Sequence, residues 1–86
     1  MIIKKKISMG FFDDVVSRKK NFEVRLADWE CKPGDTLVLE EWDPETRSYT
    51  GRRLERKAKY VIKTKELKFF TKEEIDKFGY QVIGLE

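Results

Sequence analysis

The chain has 86 residues, 41% of them charged and 40% hydrophobic, with nineteen Lys and Arg against sixteen Asp and Glu. That is one domain, residues 1–86, with a thin core. With one Cys and no His, it has no internal disulfide, no Cys/His metal centre and no Ser-His-Asp or Cys-His machinery.

Acid–base chemistry therefore falls to Lys, the carboxylates, Tyr or Cys31. Apolar runs are far short of the ~20 residues of a membrane span. The opening MIIKKKIS lacks the layout of a secretory signal. The expected compartment is the cytoplasm, with no membrane, metal or cofactor.

Ile2–Ile7 reads as a first strand, and Ser8 as the cap of a helix over residues 9–18. In that helix Phe11, Phe12, Val15 and Val16 share a face. Arg18, Lys19 and Lys20 follow at its negative end. Asn21–Leu26 alternates, with Phe22, Val24 and Leu26 opposed to Asn21, Glu23 and Arg25, as in a half-buried strand. Lys32-Pro33-Gly34-Asp35 is a turn. Thr36–Trp42 is the next strand, and Asp43–Gly51 a hairpin loop. Arg52–Lys63 is a long strand with Leu54, Ala58, Tyr60 and Ile62 inward. Thr71 and Glu74 form a capping box for a short helix that Gly79 stops. Tyr80–Leu85 reads as a last strand. The expectation is an α+β, mainly β fold. It is a small, mostly antiparallel barrel of about five or six strands, with one main helix and a short second one.

The modest net charge conceals segments. Residues 1–25 carry +4, 26–46 carry −6, 47–68 carry +7 and 69–86 carry −2. If folding joins the two basic stretches, the surface has a basic face; the bland alternative is a surface laced with ion pairs.

Two groups of residues carry chemistry. The first is Lys20, Glu23 and Arg25. Glu23 and Arg25 lie two apart, about 7 Å along a strand, and a bend at residues 20–21 would bring Lys20 to the same side. Two cations and a carboxylate suit a base edge, a phosphate or a water to be activated. The alternative is a solvent-facing ion pair. The second group is Arg47, Arg52, Arg53, Arg56, Lys57 and Lys59, suited to phosphate oxygens, with Trp42 or Tyr49 to stack on a base. Its alternative is a solvated strand face. Trp29 and Trp42 read more readily as packing residues, Cys31 as a small hydrophobe, and Phe69-Phe70 as an anchor for the C-terminal segment.

Arg18-Lys19-Lys20-Asn21-Phe22-Glu23-Val24-Arg25 resembles the signature of the ASCH domain family, in the PUA-like superfamily. That signature is Gly-x-Lys-x-x-Glu-x-Arg, with Arg18 standing where the glycine usually is. Cys31–Asp35, Leu39–Thr46, Tyr49–Arg52 and Gly79–Leu85 extend the resemblance to about residues 5–86. It is to a short branch of unknown function.

The resemblance implies a PUA-like β-barrel with a cleft beside its helix, lined by Lys20, Glu23 and Arg25. It also implies binding of RNA or a modified nucleoside. Some ASCH proteins are amidohydrolases acting on N4-acetylcytidine, in which the lysine matching Lys20 is essential and a threonine nucleophile stands at the position of Glu23. That threonine mechanism does not transfer to this chain. If the chain is an enzyme, the resemblance leaves Lys20 to polarise a carbonyl and Glu23 to act as base, with Glu73 or Glu74 as a further carboxylate. Ribonuclease activity is the other enzymatic reading the family offers.

Overall fold

Three strands and two short helices account for the regular structure in the computed structural model, which describes residues 1–86. β1 is Ile2–Ser8, α1 is Met9–Val16, β2 is Thr36–Asp43, β3 is Ser48–Lys57 and α2 is Lys72–Phe78. A single 3₁₀ turn lies at Thr64–Glu66.

The strands form one open sheet in the order β1-β2-β3. β1 runs parallel to β2, with Ile3 beside Leu37 and Ile7 beside Glu41. β3 runs antiparallel to β2, with Leu54 beside Leu39, and the ladder bulges between Glu40 and Trp42. The expected barrel of five or six strands is thereby corrected to a three-stranded open sheet. The expected antiparallel character fails at β1–β2, where residues 9–35 supply a connection long enough for a parallel crossover.

Most of the core lies on one face of the sheet, while Val38, 3% exposed, is buried on the other. Ile7, Leu39, Phe12 and Val15 are buried together, with Leu37 and Leu54 packed against them. Each such side chain contributes about 1.5–3 kcal/mol of burial. Alternation places Ile7, Leu37, Leu39 and Leu54 on the face that α1 covers. The α1 face is narrower than its spacing implies, because Phe11 and Val16 stay 56% and 49% exposed. Ser8 holds the N-cap backbone conformation, but its hydroxyl caps nothing.

Two expected strands are absent. Asn21–Leu26 and Tyr80–Leu85 belong to no strand or helix. β3 starts earlier than expected, at Ser48, and ends at Lys57. Tyr60 and Ile62, expected inward, are exposed, as are Phe69 and Phe70, whose rings meet each other edge-to-face. The capping box of α2 forms as expected: Glu74 N–H donates to Thr71 Oγ1 at 3.1 Å, and Thr71 N–H to Glu74 Oε1 at 2.9 Å. Gly79 follows at φ 67°.

The radius of gyration is 14.7 Å, against about 12 Å for a compact chain of this length. The excess reflects the segment after β3, where no residue is fully buried.

Candidate functional site: a cationic cleft beside β1

The site begins where α1 ends. Ser17 N–H closes the helix on Asp13 O at 3.0 Å, and Lys20 N–H reaches Asp14 O at 3.0 Å. Between them Arg18 takes φ 66°, a left-handed conformation that glycine adopts without a Cβ penalty. This is the position at which the ASCH pattern has its glycine. Asn21 Nδ2 donates to Arg18 O at 2.8 Å and ties the reversal down.

The reversal swings Lys20 inward. Its ammonium donates to Phe22 O at 2.8 Å and to Glu23 Oε1 at 2.6 Å. It also lies 5.4 Å from the Phe11 ring centroid and 5.1 Å from that of Phe22. Arg25 Nε donates to the other oxygen, Glu23 Oε2, at 2.8 Å. The side chains of Lys20 and Glu23 are each 16% exposed and that of Arg25 28%. The structure thus brings Lys20, Glu23 and Arg25 together. Strand alternation does not apply, because the segment is not a strand.

The donors are not exhausted. Lys20 has three N–H groups and uses two; the terminal nitrogens of Arg25 have no protein acceptor. These groups border a cavity of about 600 Å³. Its wall combines the end of β1 (Lys6, Ile7, Ser8), Phe11 and Asp14 of α1, and residues 19–25 except Asn21. Its lining holds four cations, the two carboxylates of Asp14 and Glu23, and two phenyl rings. Such a wall favours an electron-rich, planar ligand with oxygen acceptors.

Met1 O accepts from Thr36 N–H at 2.9 Å. By the two-residue alternation of a parallel ladder, the main-chain groups of Lys6 and Ser8 then face the open edge of the sheet. The sequence reading missed Lys6, Phe11, Asp14 and Lys19 as cleft residues. The available signal was the direct handover from Ser8 to Met9, which places the end of β1 beside the start of α1.

The second group does not form one row. Arg52 leans over the core face: its Nη2 donates to Asp13 Oδ1 at 2.8 Å, and its guanidinium lies 4.5 Å from the Phe12 ring centroid. The hydrogen bond to Asp13 pushes its pKa further up, helped by Glu41. Arg56 is half-buried on that side and donates to Glu55 O. Arg53 and Lys57 project from the opposite face, paired in register with Glu40 and Thr36. Lys59 lies beyond β3, and Arg47 sits in the hairpin turn at φ 53°.

Other residues are settled by their contacts. Glu41 is buried at 2% exposure; Thr50 Oγ1 donates to its Oε1 at 2.6 Å, and its Oε2 has no partner. Glu74 is engaged in its capping box, and neither Glu73 nor Glu74 lines the cleft. Trp29 and Trp42 are half-buried under Lys5 and Lys6 at 4.1 and 3.9 Å. Burial, and then Asp35, push the Cys31 thiol up, which keeps it protonated at neutral pH. The chain contains no group of side chains spaced to hold a metal ion, and no helix long and apolar enough to cross a membrane.

The fold and site define a small mixed α and β domain with a cationic, aromatic-walled cleft at the open edge of its sheet. The chain belongs to the family described as "Domain of unknown function (DUF3850)", whose model matches residues 2–84. Among curated proteins and solved structures, none matches it.

Proposed function

We propose that the cleft binds RNA or a modified nucleoside. The observation that carries this reading is the convergence of Lys20, Glu23 and Arg25 on one cavity between Phe11 and Phe22, with N–H donors of Lys20 and Arg25 left over. The aromatic rings supply a stacking wall, the spare donors take base or phosphate oxygens, and Glu23 fixes the two cations. The resemblance of the segment to the ASCH signature supports the same reading, and the cytoplasm is the compartment we propose. About 600 Å³ lies within the range of small-molecule sites.

Titration with a short single-stranded RNA at two salt concentrations tests the proposal. Saturable binding that weakens steeply with salt is expected, since phosphate contacts release counterions. Absence of binding at low salt, to RNA and to free nucleosides alike, overturns it.

A second reading is hydrolysis of an N4-acylated cytidine, with Lys20 polarising the acyl carbonyl. It is favoured by Asp14, which lines the same cleft and whose carboxylate accepts no hydrogen bond within the protein, whereas both oxygens of Glu23 are occupied. Release of cytidine from N4-acetylcytidine, abolished by Lys20→Ala, is its expected signature. No turnover at high enzyme concentration rejects that substrate.

A further inference from the structure

The cleft does not end at Arg25. Lys6 lines it, yet the Lys6 ammonium lies 3.9 Å from the centroid of the Trp42 ring. Trp42 in turn meets Tyr49 edge-on, with ring centroids 5.0 Å apart and planes at 79°. Tyr49 is 52% exposed and makes no hydrogen bond through its hydroxyl. Lys6, Trp42 and Tyr49 therefore form a continuous path from the cleft onto the sheet face opposite α1.

The charge of that face supports the same direction. Register places Lys6 beside Glu40 and Arg53, and Lys4 beside Val38 and Glu55. Lys57 stands in the row beyond, beside Thr36. Lys4, Lys6, Arg53 and Lys57 are all exposed on it, and they outnumber Glu40 and Glu55. The bulge between Glu40 and Trp42 sits at the head of this row and turns the aromatic pair relative to the cations. Cations on the two outer strands, Lys4 and Lys6 on β1 and Arg53 and Lys57 on β3, flank β2 on this face, and the exposed Tyr49 ring closes one end; such a surface matches a phosphate backbone with a stacked base.

Building on the cleft as a nucleoside site, we propose that Tyr49, buttressed by Trp42 and Lys6, is a second base-stacking subsite. The preferred ligand is then a single strand of at least two nucleotides rather than a free nucleoside. The nucleotide next to the one in the cleft stacks on the exposed face of Tyr49, and Lys6 holds the phosphate between them. Lys4, Arg53 and Lys57 take the phosphates that follow.

The test compares cytidine monophosphate with its dinucleotide and its tetranucleotide at low salt, by calorimetry. The second nucleotide is expected to tighten binding roughly tenfold. Tyr49→Ala removes that gain and leaves the mononucleotide affinity unchanged, whereas Tyr49→Phe keeps both. Circular dichroism confirms that each variant is folded. Lys20-dependent mononucleotide binding with no gain on lengthening, or with a gain that survives Tyr49→Ala, overturns the second subsite and leaves the cleft assignment standing. If none of the three ligands binds, the cleft assignment falls and the subsite with it.

Discussion

Glu23→Gln is the most informative single change. The carboxylate holds Lys20 at 2.6 Å through one oxygen and Arg25 at 2.8 Å through the other. A glutamine offers one carbonyl oxygen and turns an NH₂ toward the second cation. A charge-assisted hydrogen bond contributes about 1.5–3 kcal/mol when buried. Side-chain exposures of 16% and 28% lower that to about 1 kcal/mol per bond, or about 2 kcal/mol for the pair. In a domain this small that is a fall of roughly 8–16 °C in the melting midpoint.

The assay is thermal unfolding followed by circular dichroism, at low salt and in 1 M salt. Partly buried pairs are screened by salt much less than exposed ones, so much of the difference between variant and wild type should persist in 1 M salt. A midpoint within about 2 °C of wild type would show that the three residues form an ordinary surface ion pair. A difference abolished by salt would show the same.

Arg18→Gly should raise stability by about 0.5–1 kcal/mol, because the φ of 66° costs a residue that carries a Cβ more than glycine loses in unfolded-chain entropy. A loss measured by urea unfolding would contradict that. Leu39→Ala, at 1% exposure in the middle of the core, should cost about 2–5 kcal/mol and flatten the cooperative melt. Acid should also destabilise the fold. The Lys32 backbone N–H, then the N-terminal ammonium, hold Asp35 below the usual carboxylate range, and Thr71 does the same for Glu74. Their stabilisation is full from about pH 6 upward, begins to fall near pH 5 as the unfolded carboxylates take up protons, and is lost as pH falls through the lowered folded values. Asp35→Asn and Glu74→Gln should each shrink the acid-induced drop in melting temperature, and an unchanged drop would remove that cause.

Where local chemistry was self-sufficient, the sequence reading succeeded. The capping box of α2 needs only Thr71 and Glu74, and it is there. β1, α1, β2 and the body of β3 follow from apolar periodicity. Where a segment needed a partner, periodicity misled. Asn21–Leu26 alternates cleanly, yet Lys20 takes the Phe22 carbonyl at 2.8 Å, the main-chain group a ladder would use. Tyr80–Leu85 is rich in strand formers, but β propensity describes the fit to a neighbouring strand, and no strand pairs with it. Closure of a barrel was therefore not legible, since it depends on both segments pairing.

The candidate site was legible in its three charged residues and invisible in its walls. Lys6, Phe11 and Asp14 come to the cleft through the β1–α1 reversal, a tertiary fact that spacing along Lys20–Arg25 does not encode. The basic run in β3 shows the converse, since alternation sent Arg52 to Asp13 and Arg53 to the opposite face.

Amide chemical shifts recorded while a short single-stranded RNA is titrated into the protein test the cleft most directly. The largest changes are expected at Lys6–Phe11 and Lys19–Arg25, and they should vanish in Lys20→Ala. Changes confined to α2 and the C-terminal segment, or unaffected by that substitution, would contradict the assignment of the cleft as the binding site.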